Sequence, residues 1–176
     1  LEFRRVLFRS HIPLDYQITE GSVPTGFSIA LQKALSKGEI RLKTSDPTKQ
    51  PVLHYRYLNH PYDLERMRGA VRLCAEIAAM PEYKSAQMSR MSPSDEILEN
   101  DERLDHWLFN NVMTQHHSSG TCKMVPESDY LAAVNESCEV HRVENLMVVD
   151  APVLPHGVSS TTNPTTIQLP RQLTHP

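Results

Sequence analysis

The sequence predicts an α+β fold, with a mixed or antiparallel sheet and flanking helices. Segments that alternate apolar and polar residues come first, two segments with apolar residues at helical spacing follow, and a short apolar run comes last. Hydrophobic residues make up 39% of the 176 residues and charged residues 22%, which is typical of a globular protein with a buried core.

The predicted strands lie on both sides of the helical region. Residues 27–32 and 40–44 alternate around a polar turn that contains Gly38, which predicts a strand pair. Residues 52–58 are rich in β-branched and aromatic side chains and predict the next strand. The run 146–150 is apolar on both faces and predicts a short buried strand.

Two amphipathic helices are predicted between these strands. Asp63 is the expected N-cap of a helix over 63–79, which Pro81 ends. Five apolar side chains share one face of this helix: Leu64, Met67, Val71, Cys74 and Ala78. The segment 92–95 offers an N-cap, a proline at the first helical position and an acidic residue at the third, which predicts a second helix over 94–109.

Composition argues against several classes of function. Eighteen basic and 21 acidic residues give a net charge of −3, so a nucleic-acid-binding surface is not indicated. No apolar run approaches the roughly 20 residues of a membrane-spanning helix. The 3 cysteines are widely spaced, which argues against a disulfide framework and favours a reducing compartment such as the cytoplasm. The 6 glycines never stand at G-x-G spacing, so we expect no dinucleotide-binding loop within this sequence.

The first ten residues, LEFRRVLFRS, look foreign to the rest of the chain. They lack the apolar core and the cleavage site of a signal peptide, and they resemble translated adapter DNA. We therefore set residues 1–10 aside as a non-native segment, with an ordinary basic strand as the alternative. Because no methionine stands at position 1, we expect the sequence to be a fragment of a longer protein.

Residues 114–124, TQHHSSGTCKM, concentrate side chains that can carry chemistry. A histidine can exchange a proton with a substrate hydroxyl near neutral pH, and a glycine lets the backbone approach a ligand closely. A zinc site of His116, His117 and Cys122 is disfavoured, because adjacent histidines point in different directions and no C-x-x-C partner exists. A serine nucleophile would lack the G-x-S-x-G motif. Histidines that only satisfy loop hydrogen bonds are the remaining alternative.

Three ordered segments together resemble the carboxyl-terminal domain of the glucose–methanol–choline (GMC) oxidoreductases. The family's H-x-x-G-T-C-K/R-M motif matches residues 117–124. Its V-H-G-V-x-N-L-R-V-V-D-A-S-V-M-P motif and the following N-T-N loop match residues 141–166, and its S-x-G-x-V/I-x-L-x-S-x-D-P segment matches within residues 36–73. The resemblance extends over nearly all of residues 27–166.

The resemblance implies an FAD-dependent alcohol oxidase or dehydrogenase that acts on a small-molecule alcohol. Hydride would pass from the alcohol carbon to N5 of the flavin while His117, which matches the family's catalytic histidine, takes the hydroxyl proton. His116 would be structural or would face the substrate. The alcohol and the electron acceptor, oxygen or another, stay open. A non-redox relative on the same scaffold, such as a lyase, and a non-catalytic binding module are the alternatives.

The resemblance also implies which residues lie opposite His117 and which contact the flavin. No metal site is expected. The family's second catalytic position, counted from Pro155, falls on Thr161, whereas an amide that both donates and accepts hydrogen bonds favours Asn163. Both stay candidates. Five residues are expected to contact the cofactor: Asp150, Ala151, Asn163, Pro164 and Thr165.

The same resemblance divides the chain. Residues 11–140 would form the substrate-binding domain with the histidine loop, and residues 141–176 would return to an FAD-binding domain that is absent from this sequence. Pro170 stands where the family continues with a helix, so we expect the chain to be truncated or altered after about residue 167.

Overall fold

The computed structural model describes residues 10–17, 25–85 and 89–174, and its backbone contacts define two units. The first unit contains Gln32–Tyr57 and residues 115–174, and the second contains the described parts of Ser10–Leu31 and Leu58–Thr114. The predicted domain boundary at residue 140 falls within the first unit and stays a prediction.

The secondary structure confirms the α+β class. In chain order the elements are β1 (Ser10–Gln17), β2 (Thr25–Ala30), β3 (Glu39–Arg41), β4 (Val52–His54), α1 (Pro61–Ala78), α2 (Pro81–Ser85), β5 (Ser89–Arg90), α3 (Asp95–Leu98), α4 (Asp101–Asn111), β6 (Met113–Thr114), a 3₁₀ turn (Ala151–Val153) and α5 (Asn163–Thr174).

The sheet of the second unit is antiparallel and has β1 at its centre. β1 pairs with β2, with Leu14 opposite Phe27, and also with β5 and β6. The predicted pairing of 27–32 with 40–44 is therefore wrong. β1 begins at Ser10, which the sequence analysis set aside with residues 1–9. Alternation of apolar and polar residues indicates a strand but does not name its partner, because pairing is a non-local contact.

β3 and β4 form a separate antiparallel pair in the first unit, with Ile40 opposite Leu53. β4 is shorter than the strand predicted over 52–58. The backbone leaves the strand before Arg56, whose φ of 49° lies in the left-handed region, and a turn follows.

Helix α1 starts earlier than predicted. His60 is its N-cap and accepts a hydrogen bond from the backbone N–H of Tyr62, while Pro61 occupies the first helical position, where no backbone donor is needed. Asp63, the predicted cap, is buried in the first turn, with Arg66 at 3.6 Å. The predicted apolar face is confirmed at its centre, where three residues are buried: Met67, Val71 and Cys74.

The second predicted helix is two helices, because Asn100 caps a new one. Its side-chain oxygen accepts a hydrogen bond from the N–H of Arg103, so α4 begins just after α3 has ended. Ser94, not Ser92, precedes α3, and Pro93 lies outside the helix. The predicted apolar residues of α4 are confirmed as core: Leu104, Trp107 and Leu108.

The part of the first unit after residue 114 has little regular structure. Its core is a cluster of Val134, Cys138 and Val153, against which other apolar side chains pack. The predicted strand at 146–150 is wrong: only an isolated bridge from Met147 to Glu139 forms, and Met147 is 49% exposed. A short apolar run becomes a strand only where a neighbouring strand pairs along its length.

Helix α5 contains Pro170. That the chain is truncated or altered after about residue 167 stays a prediction. Proline removes one backbone hydrogen bond of a helix, but here Leu169 packs against the core cluster and supports the turn around it. None of the described helices is long and apolar enough to cross a membrane.

Candidate active site

The histidine loop lies against the 3₁₀ turn through backbone hydrogen bonds. The N–H groups of Gly120 and Cys122 donate to the carbonyl oxygen of Pro152 at 3.0 and 3.1 Å, and the N–H of Met124 donates to that of Val153 at 2.9 Å. Gly120 has a φ of 82°, which favours glycine at this position. Two segments that are about 30 residues apart in the sequence are thus held side by side.

Asp150 closes the turn that receives these hydrogen bonds. Its side chain accepts from the N–H of Ala151 at 2.7 Å, and its carbonyl accepts from the N–H of Val153 at 3.1 Å. Asp150 and Ala151, two of the five predicted cofactor contacts, are therefore joined by a hydrogen bond. Asp150 is exposed. Its carboxylate has a structural role in addition to the one predicted for it.

His117 contacts the start of helix α5. Its Nδ1 lies 3.1 Å from Oγ1 of Thr162, across 45 positions of sequence. Thr162 is 6% exposed, and its carbonyl accepts hydrogen bonds from the N–H and the hydroxyl of Thr166 at 2.9 and 3.0 Å. The half-buried imidazole is thereby held at the N-terminal end of a helix.

The two residues predicted to lie opposite His117 stand on either side of Thr162, the residue that contacts the imidazole. Thr161 and Asn163 are both exposed, whereas the buried Thr162 between them makes the hydrogen bond. Sequence reasoning missed Thr162, although its hydroxyl in the T-T-N run was a signal that could have been used. Whether Thr161 or Asn163 faces a substrate stays a prediction.

His116 differs from its neighbour in both backbone and exposure. Its φ is 60°, in the left-handed region, and its side chain is exposed. The hydrogen bond to Thr162 at the helix start is made by His117. Among the described residues there is no group of three histidine, cysteine or acidic side chains that could hold a metal ion.

Cys122 is held in its thiol form. Burial, and secondarily the negative charge of Asp150, raise the pKa of its side chain. A thiolate is the reactive species of cysteine, so this residue is a poor nucleophile at neutral pH.

Lys123 fixes the loop that follows the histidine motif. The side chain is 10% exposed, and its Nζ donates to Oδ2 of Asp129 at 2.6 Å. The other carboxylate oxygen of Asp129 accepts from the N–H of Leu131 at 2.9 Å. The charge of the lysine is therefore paired within the structure and is not displayed to solvent.

Two solved structures that share this fold are those of oxidases. A fungal aryl-alcohol oxidase has 26% identity and a TM-score of 0.77, over 87% of this chain and 25% of that one. Pyridoxine 4-oxidase from Mesorbium loti has 24% identity and a TM-score of 0.73, over 89% of this chain and 30% of that one, and supports the fold alone. The chain thus shares its fold with a part of each of these oxidases.

A family model described as GMC oxidoreductase matches residues 34–169, and the chain belongs to this family. It is also similar to the oxygen-dependent choline dehydrogenases of Cronobacter sakazakii and Escherichia coli O45:K1, with 31% identity over 160 residues. These matches cover 90% of this chain but only 28% of the length of each of these relatives. The resemblance seen in the sequence motifs is confirmed.

Proposed function

We propose that this chain is the part of an FAD-dependent alcohol oxidase or dehydrogenase that holds the catalytic histidine, and that His117 accepts the hydroxyl proton of a small-molecule alcohol. The observation that carries the proposal is the contact of the His117 ring with Thr162 at the N-terminal end of α5. Relatives named as a choline dehydrogenase and an aryl-alcohol oxidase support an alcohol as substrate.

The residues fit the reacting end of a flavin. The N-terminal turn of α5 exposes Thr161, Asn163 and Pro164 next to the histidine. A helix N-terminus favours negative charge, such as the charge that a flavin ring gains on reduction. The sequence contains no G-x-G-x-x-G loop for the flavin phosphates, so these residues hold one end of the cofactor only.

We assign each residue a role on this basis. His117 takes the proton from the substrate hydroxyl, and Thr161 or Asn163 holds the substrate oxygen. Bound FAD supplies the acceptor for the hydride that leaves the alcohol carbon. Five residues would contact bound FAD: Asp150, Ala151, Asn163, Pro164 and Thr165.

The proposed base is tested in the full-length enzyme of which this chain is proposed to be a part, with FAD bound; this is the holoenzyme. His117→Ala should lower the rate of anaerobic flavin reduction by about 10²–10⁴-fold, the usual effect of losing a general base, with FAD still bound. His116→Ala is the matched control and should change the rate much less. An unchanged rate in His117→Ala would contradict the proposal, and a flavin that stays oxidised in excess alcohol would favour the non-redox alternative.

The residue opposite His117 is tested by a pair of variants. If Asn163 holds the substrate oxygen, Asn163→Ala should slow flavin reduction by about 10- to 150-fold, the effect of losing a hydrogen bond to a charged group. Thr161→Val should then have little effect. The opposite ranking would assign the role to Thr161, and two small effects would show that neither side chain has it.

A further inference from the structure

We propose that Thr162 is a positioning residue that sets the tautomer of His117: Nδ1 carries the ring hydrogen and donates it to the Thr162 hydroxyl, and Nε2 is the atom that accepts the proton. The assignment of the proton to an alcohol substrate rests on the proposed function. The tautomer itself is a property of this chain and needs neither flavin nor alcohol.

The tautomer is inferred from the direction of the hydrogen bond between His117 and Thr162 that does not have to change when the ring is protonated. Neutral imidazole has one donor and one acceptor nitrogen, and protonated imidazole has two donors. If the Thr162 hydroxyl donated to a bare Nδ1, uptake of a proton at that atom would require the hydroxyl to rotate and become the acceptor of the 3.1 Å contact. If Nδ1–H donates to Oγ1, the contact stays the same in both protonation states. A base held through this contact therefore takes its proton at Nε2.

Thr162 can act in this way because its own position is fixed. The side chain is β-branched, which restricts its rotamers, and it is 6% exposed. Its carbonyl oxygen accepts two hydrogen bonds from Thr166 in the first turn of α5. The same helix contributes Leu169 to the core cluster of the first unit. The position of the hydroxyl group is thus set by the helix and the core.

Three consecutive residues at the start of α5 have different environments. Thr162 is buried and contacts the histidine, whereas Thr161 and Asn163 on either side are exposed. The side chain that orients the proposed base is therefore separate from the side chains that can meet a substrate or cofactor. Changing the middle residue should alter the histidine without removing a substrate contact.

The tautomer is tested by nuclear magnetic resonance of the ¹⁵N-labelled 176-residue chain. Long-range correlations of the His117 ring distinguish a protonated Nδ1 from a protonated Nε2 above the pKa of the imidazole. We expect the Nδ1–H form in the unmodified chain and in Thr162→Ser, which keeps the hydroxyl. Thr162→Val should populate the Nε2–H form and lower the pKa of His117, because the acceptor that stabilises the cation is lost.

Two results would overturn the inference. One is an Nε2–H tautomer in the unmodified chain, which does not depend on any variant folding. The other is an unchanged Nδ1–H tautomer and pKa in Thr162→Val.

In the holoenzyme, Thr162→Val should slow flavin reduction about 2- to 10-fold and move its pH profile, with recovery in Thr162→Ser. An unmoved pH profile would contradict the positioning role. The two proposals fail separately: a wrong tautomer overturns this inference alone, whereas unchanged flavin reduction in His117→Ala overturns the proposed function even when the tautomer is as expected.

Discussion

Each of the two units is stabilised internally by a different kind of contact. In the second unit, helices α1 and α4 contact each other and bury the large apolar side chains Met67, Val71, Leu104 and Leu108. In the first unit, residues 115–162 have almost no regular structure and are held by hydrogen bonds between loops, such as those from Gly120 and Cys122 to Pro152. The candidate site lies in this unit, where hydrogen bonds between loops accompany a small apolar cluster.

The backbone angles show the same difference. Seven non-glycine residues of the described chain have a positive φ, and six of them lie in the first unit, with Leu58 the exception. Such residues cost conformational energy and persist only where their surroundings hold them. Loops held in this way by a fixed scaffold are common places for functional side chains, and His117, the proposed base, lies in such a loop. Four predictions test this comparison.

The largest expected effect is on the apolar core of the second unit. Leu104→Ala should lower the free energy of unfolding by about 2–5 kcal/mol, because Leu104 is fully buried and its loss leaves a cavity. Leu73→Ala on α1, where the side chain is 55% exposed, is the control and should have little effect. Denaturant unfolding measures both, and equal effects would contradict a core formed by α1 and α4.

A smaller loss is expected for the partly buried ion pair between Lys123 and Asp129 in the first unit. Lys123→Met should lower the free energy of unfolding by about 1.5–3 kcal/mol, because Asp129 loses a charged hydrogen-bond partner. Arg142→Met is the matched control, since its pair with Glu127 is exposed and such pairs contribute about 0–1 kcal/mol. If Lys123→Met unfolds no more easily than Arg142→Met, polar contacts do not hold this unit.

The helix cap at Asn100 is expected to contribute about 1 kcal/mol. Asn100→Ala removes the acceptor for the N–H of Arg103 and should destabilise α4 by this amount. Ser94→Ala is the control, because Ser94 precedes α3 without a side-chain cap hydrogen bond. Thermal unfolding of the two variants compares them, and a larger loss in Ser94→Ala would be inconsistent with the break at residue 100.

The smallest effect is expected on acidification. A side-chain hydrogen bond from Arg41, together with the charges of Arg41 and Arg56, lowers the pKa of Glu39 from its ordinary value of 4.5. Because the folded form has the lower pKa, this stabilisation is present above pH 4.5 and is lost as the pH falls through the lowered pKa. Glu39→Gln should flatten the fall in unfolding free energy over this range, and Arg41→Met should do the same. A slope that neither variant changes would refute this role of Glu39.

Local patterns were sufficient to predict the buried faces of α1 and α4 and to select His117 as the candidate base. The apolar spacing of Met67, Val71 and Cys74 predicted the buried face of α1, because helical contacts join residues three or four positions apart. The spacing from Gly120 back to His117 separated this histidine from His116, and the structure places the His117 ring in contact with Thr162 at the start of α5. Family membership was also readable from these short motifs.

Contacts between distant residues were decided by the tertiary structure alone. The partner of β2 is β1 and not β3, and residues 146–150 form no strand, because pairing depends on which segment lies alongside. Spacing and side-chain chemistry proposed Thr161 and Asn163 opposite His117, but the helix turns the residue between them inward. Thr162 meets the imidazole across 45 positions of sequence, a contact that no local pattern determines because it depends on how α5 packs beside the histidine loop.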